Sequence, residues 1–273
     1  MLSAEQRAIF AARGLLRLPG LVDRAVVAAL RERLAERLRG GLVPDPPPPG
    51  FVVHASATAS LVKRTAFAEV WGAAAVELVD DLVGAGRYVP PGAGQILAVA
   101  FPTPGAAWRV PHKVWHLDYT APGSLAGIAG VQLFLCLDRV APRAGATVVA
   151  CGTHRLIEAL RQREGAGFPG RSQVVRKRLA AECPWLGALT SLREGEDRVA
   201  RFVERAELCG GVELQVVELA GEPGDVLAMH PWLLHAPALN CGDRPRAVLT
   251  ERVRSKEWMA TLGNDGAATK EGV

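Results

Sequence analysis

Val114-Trp115-His116-Leu117-Asp118-Tyr119 alternates apolar and polar side chains and predicts a β-strand over 113–119. In a strand, residues i and i+2 project to the same side. The spacing therefore aims the His116 imidazole and the Asp118 carboxylate at one spot. A carboxylate inside a β-structure is costly unless it is paired or bound to a metal. The residues alone leave two readings open: a His–Asp pair that satisfies itself, or two ligands of a metal site.

Working outward from this stretch, strands are also predicted at 95–101, 130–137, 146–150, 212–219, 226–230 and 246–253, punctuated by Gly, Pro and Asp. The chain before them reads as helical. Ser3 and Gln6 form a capping-box pattern that opens a first helix, with Gly14 as its stop. A second helix is predicted from Asp23 to Arg39, with Val26, Val27, Leu30, Leu34 and Leu38 as its apolar stripe and Gly40-Gly41 as its end. Five prolines between Pro44 and Gly50 make that segment a loop. A third helix is predicted over 65–83, with Phe67 and Trp71 buried. Residues from about 154 to 211 read as a long helical insertion between two groups of strands.

Helices followed by many antiparallel-type strands predict a mainly β fold, a sandwich or barrel of jelly-roll type backed by helices. We expect a single domain over 1–273. Its parts are a helical N-terminal support (1–84), a β core with the insertion (95–254) and a loose tail (259–273).

The chain has 273 residues, with 32 basic and 28 acidic side chains and a net charge of +4. The arginines are scattered along helical segments rather than massed in a stripe, which speaks against nucleic-acid binding. The longest nearly apolar run, 125–137, has 13 residues and is too short for a bilayer. The five cysteines lack CxxC spacing and predict free thiols in a reducing cytoplasm. The expected partner is a small-molecule substrate, and the expected state a monomer or small homo-oligomer.

A second group of chemical residues closes the β region. Glu222-Pro223-Gly224-Asp225 forms a turn, a strand follows, and a bend then carries His230 and His235, either a candidate third ligand. Arg246 opens the next apolar strand eleven residues after His235, with Arg244 as its rival. A buried guanidinium suits a planar anion such as a carboxylate. Two histidines and a carboxylate with open positions opposite them suit non-haem Fe(II).

With these residues in place, the chain resembles the phytanoyl-CoA dioxygenase family of Fe(II)/2-oxoglutarate-dependent oxygenases. The resemblance rests on an ordered set: Trp115-His116-Leu117-Asp118, Leu137-Asp138, Gly145-Ala146-Thr147, Cys151-Gly152-Thr153-His154, Gly224-Asp225-Val226-Leu227-Ala228-Met229-His230, then His235, Asn240 and Arg246. It covers roughly 112–254. It implies a double-stranded β-helix (cupin-like jelly-roll) core. It also implies His116, Asp118 and His235 as iron ligands, Arg246 on the distal carboxylate of 2-oxoglutarate, and O2 as second co-substrate. Hydroxylation of a small metabolite, with release of succinate and CO2, is the implied reaction. Related halogenases lack the carboxylate ligand, so Asp118 speaks against halogenation. Pro237 stands where members often have Ser, and Cys151-Gly152-Thr153-His154 replaces Pro-Gly-Ser-His.

Gln132 lies on the strand face opposite the aliphatic Val131, Leu133, Leu135 and Leu137. It and Thr147 are candidate contacts to co-substrate or substrate, with a satisfied core amide as the alternative for Gln132. Trp108, Trp115, Tyr119 and Trp232 are pocket candidates whose simpler reading is core packing. His112 reads as a pocket or surface residue, and His154 as a residue that ties down its turn. The alternatives to an oxygenase are a cupin-like metal-dependent isomerase, which needs no Arg246, and a non-catalytic small-molecule binder on the same scaffold.

Overall fold

The structure is a computed structural model and describes residues 1–62, 65–168 and 170–264. Two antiparallel sheets face each other. The larger has six strands in the order β1 (Leu15–Leu18), β8 (Val226–Met229), β4 (Gly130–Cys136), β10 (Arg246–Arg254), β3 (Gln95–Ala100) and β2 (Val52–His54). The smaller runs β6 (Glu207–Cys209), β7 (Val212–Glu218), β5 (Thr147–Cys151), β9 (Leu234–Pro237). The chain crosses repeatedly between the sheets, as a jelly-roll requires.

Strand periodicity sorts the side chains into three clusters. Val131, Leu133 and Leu135 of β4, with Leu137 just beyond its end, pack outward with Val226, Ala228, Ala247, Leu249 and Val253. The residues covering them come from α1 (Ala4–Arg13), α2 (Arg24–Arg37) and α4 (Phe67–Val83), Trp71 fully buried among them. Phe134, Cys136, Val149, Leu227, Met229 and Val248 fill the space between the sheets. The outer face of the smaller sheet, through Val148, Ala150, Leu214, Val216, Leu234 and Ala236, is covered by the insertion. Its helices are α5 (Thr153–Glu164), α6 (Ser172–Glu182), α7 (Pro184–Leu189) and α8 (Arg198–Phe202). The short helix α3 spans Ala55–Thr58.

The helix starts follow their caps. Ser3 accepts from the Gln6 amide while Gln6 reaches back to Ser3, and Gly14 closes α1 with φ 73°. Asp23 accepts from the Ala25 amide at the start of α2. The expected loop over 44–50 contains no helix or strand.

Four expectations are corrected. The stretch 113–119 is not a ladder strand. Val114 sits at φ +58° and breaks extension, leaving one antiparallel bridge between His116 and His235. The alternation read from the sequence is real: Trp115, Leu117 and Tyr119 face the core, while His116 and Asp118 face away. Residues 259–264 of the expected loose tail are helical, because α9 (Lys256–Asn264) follows β10; residues 265–273 lie outside the described residues. Trp258 of α9 packs on Tyr119 at a ring distance of 4.9 Å. Cys183 and Cys209 are disulfide-bonded rather than free, because the start of α7 and the end of β6 meet with Cα atoms 6.2 Å apart. Strands β1, β2, β6 and β9 were not anticipated; β9 carries His235, expected on a bend, and β6 extends the smaller sheet within the region assigned to the insertion. No helix among the described residues is long and apolar enough to cross a membrane.

Candidate metal centre

The segment carrying His116 and Asp118 is held from three sides. His116 exchanges both backbone hydrogen bonds with His235, at 3.0 and 3.1 Å. From α6, Ser172 Oγ accepts from the Leu117 amide at 2.9 Å and Arg176 donates to the Trp115 carbonyl at 2.8 Å. Beyond Asp118, the Trp232 and Trp258 indoles both donate to the Thr120 carbonyl at 3.1 Å. Opposite them, His235 sits on β9 with Val149 of β5 as its register partner.

These supports bring the three expected ligands together. His116, Asp118 and His235 each offer a ligand atom within 4.8 Å of the others. Nε2 of His116 is 3.6 Å from Asp118 Oδ1, and Nε2 of His235 is 3.4 Å from Oδ2. Each imidazole donates its Nδ1–H to the carbonyl two residues earlier: His116 to Val114 at 2.8 Å, His235 to Leu233 at 3.0 Å. That bond fixes ring orientation and turns Nε2 toward the carboxylate.

Two imidazole lone pairs and a carboxylate aimed at one point repel each other unless a cation lies between them. Burial, with the neighbouring His235, pushes the His116 pKa down, favouring the neutral ligand form. Burial alone raises the Asp118 pKa, but the His235 hydrogen bond and the positive charge of Arg252 outweigh it and hold the carboxyl well below the usual range. The donor set fits a divalent transition metal in a two-histidine, one-carboxylate arrangement.

Arg246 opens β10 and is 4% exposed. Its Nε donates to the Gly145 carbonyl at 2.6 Å, and burial pushes its pKa down to about 10. No carboxylate among the described residues pairs with it. Gln132 and Thr147 are buried, at 1% and 6% exposure, and Gln132 Oε1 has no hydrogen-bond partner. Arg244, the rival of Arg246, lies exposed beside Asp243.

The remaining candidates have structural places. Trp115, Tyr119 and Trp232 are core residues, and Trp108 packs partly buried against the same core. His230 accepts from the Trp232 amide at 3.1 Å and packs on His154, with ring centres 4.7 Å apart and planes tilted by 38°, and is not one of the three converging ligands. His154 does not tie its own turn; its Nε2 meets the Ala11 carbonyl of α1 at 3.0 Å. Asn240 braces the loop before β10, donating to the Ala100 and Arg244 carbonyls at 2.9 Å. Asp225 accepts from Arg17 and from the Gly20 and Glu222 amides, joining β1 to the turn before β8.

One residue of the centre was missed. Arg252 donates from Nε to Asp118 Oδ2 at 3.2 Å, and its Nη2 forms an ion pair with Oδ1 at 3.0 Å. Its signal was in the sequence: six residues after Arg246 on one strand, the two share a face.

The sequence model of the family described as phytanoyl-CoA dioxygenase (PhyH) matches residues 10–248, most of the chain and the whole centre up to Arg246. The chain belongs to the phytanoyl-CoA dioxygenase family. No curated protein matches it in sequence. Among solved structures, this family member is similar to EvdO2 from Micromonospora carbonacea var. aurantiaca complexed with 2-oxoglutarate, at 14% identity, covering 93% of this chain and 92% of that one, with a TM-score of 0.51. HygX from Streptomyces hygroscopicus with nickel and 2-oxoglutarate bound is 17% identical over 93% of this chain and 87% of that one, with a TM-score of 0.49. The likeness to EvdO2 is one of fold, and it places the dioxygenase-family chain among proteins of the same jelly-roll architecture.

Proposed function

We propose that the protein is a non-haem Fe(II)- and 2-oxoglutarate-dependent dioxygenase that hydroxylates a small-molecule metabolite. One observation carries the reading: the two Nε2 atoms and the Asp118 carboxylate converge from distant parts of the chain on one point. The buried Arg246, which no described carboxylate pairs, adds the second half of such a site.

In this reading His116, Asp118 and His235 hold the metal on one side and leave the opposite side open to co-substrates. Bound Fe(II) supplies the oxidising chemistry, in which O2 and 2-oxoglutarate yield succinate, CO2 and an oxidised substrate. Arg246 receives the distal carboxylate of 2-oxoglutarate through its planar fork, stabilised by the low dielectric around it. Gln132 and Thr147, on inner faces of the two sheets, supply hydrogen bonds to the co-substrate. Pro237 contributes none. The apolar residues between the sheets, Phe134, Val149, Met229 and Val248, exclude water from the rear of the site. The helical insertion steadies the ligand segment through Ser172 and Arg176 and forms one wall of the substrate opening.

Anaerobic addition of Fe(II) and then 2-oxoglutarate tests this. The proposal expects a visible metal-to-ligand charge-transfer band that His116→Ala abolishes. A protein that binds iron but develops no such band contradicts it.

A further inference from the structure

Arg252 and Gln132 are register partners across the β10–β4 ladder. Directly opposed Cβ atoms in such a ladder lie about 5 Å apart, so the two side chains reach each other. Their hydrogen-bonding states are complementary. Arg252 engages both oxygens of Asp118, through an Nε hydrogen bond to Oδ2 at 3.2 Å and an Nη2 ion pair with Oδ1 at 3.0 Å. Gln132 Oε1 is buried without a donor, and leaving such an acceptor unmatched is costly.

Metal loading changes what Asp118 offers. A metal held by His116 Nε2 and His235 Nε2 takes at least one Asp118 oxygen. An oxygen bound to a divalent cation is a poorer acceptor for a cationic N–H. The donor displaced from it needs another acceptor, and Gln132 Oε1 is across the ladder and unfilled.

Resting on the metal and keto-acid reading above, the geometry assigns Arg252 and Gln132 a joint positioning role as a clamp on the metal-ligand carboxylate. Arg252 keeps one Asp118 oxygen and passes its other N–H to Gln132 Oε1. The Gln132 amide nitrogen stays available to the co-substrate. Held this way, Asp118 binds through one oxygen. Its second oxygen is kept from the metal position that the two-point chelate of 2-oxoglutarate needs. Arg246 and Arg252, six residues apart on one strand and so about 20 Å apart, have separate tasks: the first meets the co-substrate, the second meets the ligand.

The test loads wild type, Arg252→Gln, Gln132→Leu and the double variant with Ni(II), which is stable to air. Metal affinity is read by chelator competition and 2-oxoglutarate affinity by titration calorimetry. The clamp expects Arg252→Gln to bind one Ni(II) per chain while its 2-oxoglutarate Kd rises tenfold or more. It expects the 2-oxoglutarate Kd of the double variant to rise by less than the product of the two single effects, because the clamp is lost only once while the Gln132 amide contact is lost separately. Arg252→Lys keeps the charge but loses the fork, and carries the same expectation for Kd should the glutamine variant fail to fold. Unchanged 2-oxoglutarate affinity in a metal-loaded Arg252 variant overturns the clamp alone and leaves Arg252 as a neutraliser of the metal-free carboxylate. Additive effects of the two substitutions also overturn it. A wild type that binds Ni(II) but not 2-oxoglutarate overturns the oxygenase reading and the clamp together.

Discussion

Val114 holds its carbonyl 2.8 Å from Nδ1 of His116 with its own φ at +58°. A β-branched residue in the left-handed region is strained by about 1–2 kcal/mol, and its side chain is turned outward, 56% exposed. The strain sits on the residue whose carbonyl orients the candidate ligand His116. Val114→Gly, which accepts this φ freely, is expected to leave metal affinity within about threefold of wild type. Val114→Pro, locked near φ −65°, moves the carbonyl away and is expected to weaken metal binding about tenfold or more. Chelator competition on both variants checks the pair; equal affinities would show that the carbonyl does not orient His116.

Arg246 is the strongest test of the co-substrate site. Arg246→Ala is expected to weaken 2-oxoglutarate binding to the metal-loaded protein by about 3 kcal/mol, a factor of roughly a hundred, while metal affinity barely changes. Arg246→Lys recovers only part of this, because an ammonium cannot match both carboxylate oxygens. Calorimetric titration of the two variants supplies the comparison, and tight binding by the alanine variant contradicts the assignment.

How much of this was legible in sequence depended on whether the signal was local. The Ser3–Gln6 box, the Asp23 cap and the aliphatic face of β4 carry their structural meaning in spacing alone, and each is found where spacing places it. The His116–Asp118 pair was legible for a reason only half right. The alternation holds, but pairing beyond the single His235 bridge depends on Val114, whose φ nothing in the sequence announces. The Cys183–Cys209 pairing and the Trp258 contact with Tyr119 join segments far apart in the chain, and no spacing encodes them. Arg252 follows from period-two alternation carried three steps along β10 from Arg246, whose own signal is its place at the head of an apolar strand.

Trp258 shows what such a remote contact does. It is 7% exposed, packs on Tyr119 and donates to the Thr120 carbonyl, bracing the chain just after Asp118. Trp258→Ala is expected to destabilise the fold by about 3 kcal/mol and to lower the Tm by several degrees. Thermal unfolding followed by circular dichroism measures it; a shift under one degree would mean α9 does not support the core.

His154 sets an acid limit on the fold. Burial among α1, α5 and His230 pushes its pKa down to about 4, from an ordinary 6.5. Between those values the unfolded chain binds more protons than the native one, so stability rises with pH. The contribution is fully present above pH 6.5 and is lost as pH falls toward 4, amounting to about 3 kcal/mol. His154→Asn is expected to flatten the stability profile in that window. Urea unfolding of both proteins at several pH values tests it, and parallel profiles contradict the assignment.

The central claim is that side chains 116, 118 and 235 grip one divalent ion. Titration of the metal-free protein with Fe(II) under anaerobic conditions measures it directly. The account predicts one ion per chain for wild type and no saturable binding for His116→Ala or His235→Ala, with both variants folded. Stoichiometric binding that survives in the His235→Ala protein would contradict it.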